Sequence, residues 1–189
     1  MRKLHRFAAI SRADVIRRIV KAAAIATGAV AVALFALRPL GYRWNDSPSL
    51  PRGLYATAAR SNLIEFCPPQ PWGYIALKRE YREPGVCPDY GSPLLKPIAA
   101  TEGDRVELSA AGIAVNGRTI ANTAPRVHDS MNRPLEHYPF GTYTVQPGEV
   151  WVASSWNRKS FDSRYFGPVR LSTIRHYLRP VWTWGSPNQ

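Results

Sequence analysis

The hydrophobic pattern of the chain changes character after about its first forty residues. Residues 22–37 form a run of sixteen without a charged side chain, bounded by Lys21 and by Arg38-Pro39. From Leu94 onward, short apolar runs alternate with turn sequences that contain Gly, Pro and Asn. The first pattern indicates one long apolar helix, and the second indicates a mostly antiparallel β domain.

The apolar run approaches the length of a membrane anchor. Sixteen helical residues at about 1.5 Å each span roughly 24 Å, and a hydrocarbon core is about 30 Å thick. Ile19, Val20 and the aliphatic stem of Lys21 close most of this gap. A cleavable signal peptide is the alternative, but the small-x-small triplet at 31–33 lies inside the run rather than after it. The pattern therefore favours a retained anchor.

The positive charge is concentrated before the apolar run. Residues 1–21 carry seven basic side chains and one acidic side chain, which is half of the net charge of +12. The positive-inside rule places this flank in the cytoplasm and the part of the chain after the anchor outside. The other half of the charge is spread without a dense basic stripe, so no nucleic-acid partner is expected. The predicted division is a basic cytoplasmic segment at 1–21, a transmembrane anchor at 22–41 and an exported β domain at 42–189.

The exported part contains a series of strand candidates and few or no helices. The candidates lie at 94–100, 105–108, 112–122, 142–145, 149–154, 165–171 and 177–184. Asn116-Gly117 is a strong signal for a two-residue hairpin turn. Before these strands, 47–55 is rich in Pro and Gly and predicts a turn that leads into an extended segment.

Two cysteines, Cys67 and Cys87, lie in an exported stretch that is dense in Pro and Gly. An oxidising compartment favours a disulfide between them, which would stabilise the fold by about 3 kcal/mol through loop closure. Two unrelated thiols are the alternative. A metal site is less favoured because no His lies between them or close beside them. We expect an irregular insertion at about 67–93, joined at its base by the disulfide.

Three blocks carry candidate chemistry, although each has an ordinary explanation when it is taken alone. Pro48 and Pro51 stiffen the backbone around Ser49, which a simple Ser/Pro turn also explains. Lys96 lies inside an apolar run, where desolvation would lower its pKa and leave a neutral amine. The third block, 156–168, is polar between aromatic residues, as a surface loop or an active-site network would be.

The order of these blocks resembles the bacterial type I signal peptidase superfamily. Its pattern is a serine, a lysine seven residues before Gly-Asp, a Val-Asn-Gly hairpin and an Asp-Ser-Arg-x-x-Gly segment, here at 162–167. The sequence S-x-P-x-G-x-Y at 49–55 is more similar to the conjugative-transfer branch, the TraF-type peptidases. The resemblance covers roughly 45–168, and the combination is far more specific than its parts.

The resemblance implies a signal-peptidase-like antiparallel β domain and a role for each matching residue. Ser49 matches the nucleophile, and Lys96 matches the general base of a Ser-Lys dyad. Ser47 matches the side chain that completes the oxyanion hole. The residues that brace the lysine and order its loop match Ser160, Asp162 and Arg164.

Two departures point away from the general secretory enzyme. The usual Gly-Asp-Asn-Arg-Asp-Asn-Ser stretch is replaced by the residues at 154–160, and Pro97 follows the lysine where a basic residue is common. The resemblance therefore implies a serine endopeptidase for an exported, pilin-like precursor in conjugative transfer, with release by water or by cyclisation both open. Its expected partners are that precursor, inner-membrane lipid and other conjugative-transfer proteins.

Two other functions stay open at this point. One is a general type I signal peptidase that removes signal peptides, and the other is a non-catalytic, membrane-anchored assembly protein of a secretion apparatus. Neither a metal nor a cofactor is expected, because the four histidines lack the spacing of metal ligands. The catalytic domain is expected on the periplasmic side of a bacterial inner membrane.

Overall fold

The computed structural model describes residues 11–36 and 39–186, of which 34 and 35 are described by their backbone alone. Residues 1–10 of the predicted basic segment and 37–38 of the predicted anchor lie outside the described residues. The chain divides into two compact units, one that ends at Gly41 and one that begins at Tyr42.

The first unit contains the helix α1 (Arg12–Ala36). Its start depends on a capping sequence, since the Ser11 hydroxyl accepts from the Asp14 N–H at 3.1 Å and donates to the Asp14 carboxylate at 2.8 Å. The helix thus begins within the basic segment, ten residues before Ala22. No helix in the described residues combines the length and the apolar character that a membrane crossing requires. The anchor at 22–41 stays a prediction.

In its described residues, 42–186, the second unit contains eleven strands. They are β1 (Tyr42–Asn45), β2 (Arg52–Ala58), β3 (Leu63–Phe66), β4 (Leu94–Ala100), β5 (Arg105–Ser109), β6 (Gly112–Val115), β7 (Arg118–Thr119), β8 (Gly141–Thr144), β9 (Glu149–Val152), β10 (Val169–Arg170) and β11 (Ile174–Trp184). The paired strands of the described residues are antiparallel, which confirms the predicted class.

These strands form two sheets. The larger sheet has the order β1-β2-β11-β3-β4-β9-β10, so the last strand of the chain lies between two of the first three. The smaller sheet has the order β7-β6-β5-β8. Its β6–β7 hairpin turns at Asn116 and Gly117, whose φ angles of 49° and 79° fit the predicted two-residue turn.

Strand β9 and Ala153, the residue after it, contribute side chains to both hydrophobic cores of this unit. Val150 and Val152 belong to the first core, with Ile64, Phe66 and Phe161 among its other members. Trp151 and Ala153 belong to the second core, which also holds Val106, Leu108 and Ile113. Because successive side chains of a strand point to opposite faces, one short strand serves two cores.

The insertion at 67–93 contains a short helix, α2 (Trp72–Lys78), which corrects the prediction of a wholly irregular segment. Seven residues are too few to show a helical period in the sequence. The helix is instead stabilised by tertiary packing, because Ala76 lies in the first core and Trp72 packs against it. A disulfide joins Cys67 to Cys87 across the base of the segment.

The strand predicted at 165–171 is wrong in its first half. Residues Ser163–Phe166 form the short helix α3, and only β10 (Val169–Arg170) is extended before a 3-10 turn at Leu171–Thr173. The Asp162 carboxylate accepts from the Arg164 N–H and caps the helix, and Gly167 at φ 72° ends it. The apolar side chains that suggested a strand face the core from a helical turn.

The disulfide should account for a measurable part of the stability. Labelling of the denatured, unreduced protein is expected to find no free thiol, because the described chain places both cysteines in one bond. Replacing both by alanine should lower the free energy of unfolding by about 3 kcal/mol, since the unfolded chain loses its cross-link. Urea unfolding of the two proteins measures this difference. Rapid labelling without reductant would contradict the bond.

Candidate active site

Lys96 is a buried lysine on a central strand. It lies in β4 on the same face as the buried Leu94, directly opposite Ile64 of β3. Only 3% of its surface is exposed. Desolvation by burial lowers the pKa of Lys96 from 10.5 to about 8, although the nearby Asp162 carboxylate raises it and Arg164 lowers it further. About a tenth of this amine is therefore neutral at pH 7, compared with fewer than about one in a thousand for an ordinary lysine.

The amine is held by the segment that comes after β9. Lys96 Nζ donates a hydrogen bond of 3.0 Å to Ser160 Oγ, and both side chains are buried. Two residues further on, the fully buried Asp162 supplies the negative charge that acts on Lys96. This segment therefore presents both a hydrogen-bond acceptor and a carboxylate to the amine.

Arg164 orders this segment and is fully buried itself. Its guanidinium binds both carboxylate oxygens of Asp162, at 2.7 and 2.9 Å. The remaining three donors reach backbone carbonyls of Ser154, Asn122 and Arg158 at 3.1 to 3.2 Å. All five guanidinium N–H groups thus have acceptors, which offsets the cost of burying the charge.

Ser49 lies on the tight loop between β1 and β2, with 7% of its surface exposed. The buried Asn45 amide braces this loop by donating to the carbonyls of Ser47 at 3.2 Å and Pro51 at 3.0 Å. The Tyr55 hydroxyl donates to the same Pro51 carbonyl at 2.7 Å. Two side chains from the flanking strands therefore define the path of the loop.

Ser154 connects the serine loop to the lysine-bracing segment. Its hydroxyl donates to the Ser49 carbonyl, and its backbone N–H donates to the Asp162 carboxylate at 3.1 Å. On the other side, the Ser49 N–H donates to Ser47 Oγ at 3.3 Å. The structure thus collects the predicted site residues around one region, although a direct Ser49–Lys96 hydrogen bond is not among the contacts of the described residues.

Sequence reasoning missed Asn45 and Ser154. Ser154 begins the stretch that departs from the usual signal-peptidase sequence, so its role had no matching motif. The signal available was its position as the last residue of the strand candidate at 149–154. Asn45 precedes the serine by four residues, and nothing in the sequence marks its amide as a brace.

The described residues contain no group of three or more His, Cys, Asp and Glu side chains that could hold a metal ion. Two of the histidines make ordinary contacts elsewhere. His176 meets the Glu65 carboxylate at 2.7 Å, and His137 meets the Tyr138 carbonyl at the same distance. The described site presents the Ser49 hydroxyl, the Lys96 amine and the Asp162 carboxylate.

The lowered pKa of Lys96 predicts an acid limb in the pH profile. If the neutral amine is the reactive form, kcat/KM should rise about tenfold per pH unit at low pH and level off above about 8. This direction is expected because a base works only after losing its proton. Initial rates between about pH 5 and 10 measure the pH dependence of kcat/KM. An acid limb with the pKa of an ordinary lysine would contradict the effect of burial on Lys96.

Asp162→Asn is expected to affect both stability and pH dependence. It leaves the buried Arg164 without its partner charge, which should cost about 3 to 5 kcal/mol of unfolding free energy. It also removes the charge that raises the pKa of Lys96, so the acid limb should move to lower pH. Urea unfolding and the pH profile separate the two effects. A limb displaced upward would contradict this assignment.

The chain is similar to known proteins over most of its length. The sequence model of a family described as signal peptidase, peptidase S26, matches residues 12–182. A plasmid transfer protein TraF of Escherichia coli is 38% identical over 174 residues, covering 89% of this chain and 98% of the relative.

A conjugal transfer protein TraF of Agrobacterium fabrum is 34% identical over 181 residues, covering 92% of this chain and 98% of the relative. Among solved structures, a signal peptidase I of Enterococcus faecalis is 19% identical with a TM-score of 0.37, covering 66% of this chain and 100% of that one.

Proposed function

Because the chain belongs to the signal peptidase family, peptidase S26, we propose that it is a serine endopeptidase with a Ser49-Lys96 dyad. Its substrate in this proposal is an exported, pilin-like precursor of conjugative transfer. The observation that supports the dyad most is Lys96, a nearly fully buried amine with a pKa lowered to about 8. A protein that only scaffolds an assembly has no use for such a group, because burying it costs stability.

The acylation step uses the serine and the lysine in turn. Neutral Lys96 accepts the proton of the Ser49 hydroxyl, and Ser49 Oγ bonds to the carbonyl carbon of the substrate. The peptide C–N bond then breaks, and the Lys96 ammonium returns the proton to the leaving amine. Asp162 and Ser160 stabilise the ammonium between these transfers, since they offer it a negative charge and an acceptor at 3.0 Å.

In this proposal, the oxyanion that forms when Ser49 attacks the substrate carbonyl lies beside the start of the serine loop. The Ser49 N–H and the Ser47 hydroxyl are neighbours, joined by a long contact of 3.3 Å. An oxyanion that accepts from both would replace this weak hydrogen bond with two charge-assisted bonds. Asn45 and Ser154 keep the loop in place while the Ser49–Ser47 hydrogen bond is replaced by bonds to the oxyanion.

The acyl group leaves Ser49 in a second step. Water gives a proton to neutral Lys96 as it attacks the ester, the bond between Ser49 Oγ and the acyl carbon breaks, and the Lys96 ammonium returns the proton to Ser49 Oγ. This frees a linear product. If an amine of the same substrate attacks instead, the product is a ring and is lighter by one water. Both routes use the same serine and lysine, so the choice depends on the substrate.

The conjugative role is supported by the relatives, which are named as plasmid or conjugal transfer proteins. The location is supported by the uncharged run at 22–37 behind a basic flank. In this proposal the helix is retained in the bacterial inner membrane, the β domain faces the periplasm, and membrane lipid and other transfer proteins surround it. Fractionation with protease accessibility tests the location, and a shortened, fully soluble product would contradict it.

The experiment that tests the function is processing of a co-expressed pilin precursor by the full-length protein. Mass spectrometry of the product separates an unprocessed chain, a linear product and a ring. Processing that requires this protein supports the proposal. Processing of ordinary secreted precursors, with the pilin left intact, would favour a general signal peptidase instead.

A further inference from the structure

In the sequence, Phe161 lies between the two residues that interact with the Lys96 amine. Ser160, on one side, accepts the hydrogen bond of the amine, and Asp162, on the other, supplies the carboxylate that acts on it. Phe161 itself is 7% exposed and belongs to the first core. Since neighbouring residues of a chain cannot move independently, the position of this ring constrains both groups.

The ring of Phe161 is surrounded by aromatic rings from two sources. Tyr165 stacks on it with centroids 5.3 Å apart, and Phe166 meets it edge-on at 5.6 Å. Trp72 and Tyr81, both from the insertion, meet it at 6.2 and 5.3 Å. The insertion therefore packs directly on the segment that braces the lysine, and aromatic pairs of this kind stabilise beyond the effect of their buried area.

Tyr81 is fixed at its far end as well. Its hydroxyl donates to the Asp129 carboxylate at 2.5 Å, and the Arg133 guanidinium binds the same carboxylate at 2.7 Å. Arg133 also lies 5.7 Å from the centre of the Tyr81 ring. The backbone N–H of Tyr81 donates to the Ala76 carbonyl of α2. The ring that contacts Phe161 is thus held from several directions.

The insertion is also braced internally. The Cys67–Cys87 bond closes most of its length into a loop, and the buried Arg82 donates to the carbonyls of Gly73 and Ser92. Arg82 further pairs with the Asp89 carboxylate. A segment held in this way can transmit its position to the residues it packs against.

We propose that Trp72 and Tyr81 are positioning residues of the active site, which hold Phe161 so that Ser160 and Asp162 face Lys96. The inference rests on the proposed Ser49-Lys96 function and assigns the insertion a part in it. The insertion acts through Phe161 and does not itself supply a reacting group.

Loss of this packing should change the environment of the amine. When Phe161 is less restrained, the 160–162 segment loosens and water reaches Lys96. Solvation favours the ammonium form, whereas a more distant Asp162 carboxylate favours the neutral form. Because burial has the largest effect on this pKa, the pKa of Lys96 rises towards that of an ordinary lysine. A core residue without a positioning role would lower the stability of the protein and leave this titration where it was.

The test compares Tyr81→Ala with Tyr81→Phe in the full-length protein. Tyr81→Ala should lower kcat per folded enzyme by about tenfold or more, because small misplacements in an active site are costly. It should also move the acid limb to higher pH by at least about half a unit. Tyr81→Phe keeps the ring against Phe161, so its kcat and the position of its acid limb should be close to those of the wild type. Trp72→Ala should behave as Tyr81→Ala does.

Two control variants separate positioning from simple stability. Tyr74→Ala removes a 56% exposed ring from the same helix as Trp72 and should change neither kcat nor the limb. Ile113→Ala destabilises the second core, where this side chain is fully buried, and should lower Tm without moving the limb. If Tyr81→Ala lowers Tm but keeps the wild-type limb and kcat per folded enzyme, the inference is wrong.

A titration in the Ser49→Ala background keeps the inference distinct from the proposed function. The pKa of Lys96, followed by NMR of its side chain, should rise in Tyr81→Ala and not in Tyr74→Ala or Ile113→Ala. This readout needs no peptidase activity. An unchanged titration overturns the positioning role, whereas active Ser49→Ala protein overturns only the dyad.

Discussion

Ser49→Ala is expected to abolish processing of the precursor, with a loss of at least about 10⁴-fold in kcat/KM, because no nucleophile remains to form the acyl-enzyme. The fold should be retained. Ser49 is held by its backbone, through the Ser47 hydroxyl and the Ser154 hydroxyl, and the substitution leaves both contacts in place. Thermal unfolding should therefore give nearly the wild-type Tm.

The measurement is the rate of cleavage together with a search for the acyl-enzyme by mass. Ser172→Ala is the matched control, since it removes an exposed hydroxyl far along the chain and should process at the wild-type rate. Wild-type-like processing by the Ser49→Ala protein would refute the mechanism and revive the assembly-protein hypothesis.

Lys96→Met is expected to lose processing while the protein becomes more stable. Near pH 7, the buried Lys96 is still largely protonated, because its pKa is about 8. Burying that charge costs free energy, and methionine of similar length removes the cost. The loss of a general base should lower kcat by about 10²- to 10⁴-fold or more. Lower activity together with a higher Tm is a combination that misfolding does not produce.

Lys96→Arg separates charge from basicity at the same position. The guanidinium keeps the positive charge but stays protonated at any accessible pH, so it cannot accept the Ser49 proton. Processing should be nearly as low as in Lys96→Met, with a lower Tm because a larger cation is buried. Lys78→Met, on the exposed end of α2, serves as the control. Retained activity in either Lys96 variant would exclude this residue as the base.

The local pattern of the chain was sufficient for features that depend on a few adjacent residues. The Asn116-Gly117 turn is one example, because positive φ at two successive residues is a requirement that Asn and Gly meet. The burial of Lys96 is another, since its neighbours along the chain are apolar or Pro on both sides. Antiparallel strands between short turns were also predictable from the alternation alone.

Local pattern failed where packing overrides it. The strand predicted at 165–171 begins with two aromatic residues, yet the Asp162 cap and the position of Gly167 make 163–166 a helical turn. In the insertion, α2 has only seven residues, and its helix depends on the core that Ala76 and Trp72 enter. Short elements of this kind have weak intrinsic preferences, so their neighbours in space decide them.

For the candidate site too, some features were predictable from the sequence and others only from the structure. The order of the sequence motifs was enough to select the residues of interest: Ser49, Lys96, Asp162, and the supporting Ser47, Ser160 and Arg164. It could not show that Asn45 and Ser154 hold the serine loop, because both act through backbone carbonyls that no side-chain motif records. Nor could it place two aromatic rings of the insertion on Phe161.

The amino-acid sequence alone therefore determined three things: the class of the fold, the basic segment with its apolar run, and the identity of the candidate reactive side chains. Two features exist only in the folded chain. They are the order of the strands, in which β11 lies between β2 and β3, and the hydrogen bonds that bring the site residues together. The physical reason is the range of the interactions. Turns and alternation are set by neighbours along the chain. The Lys96–Ser160 hydrogen bond, in contrast, joins residues 64 positions apart, and the Ser154–Ser49 hydrogen bond joins residues 105 positions apart.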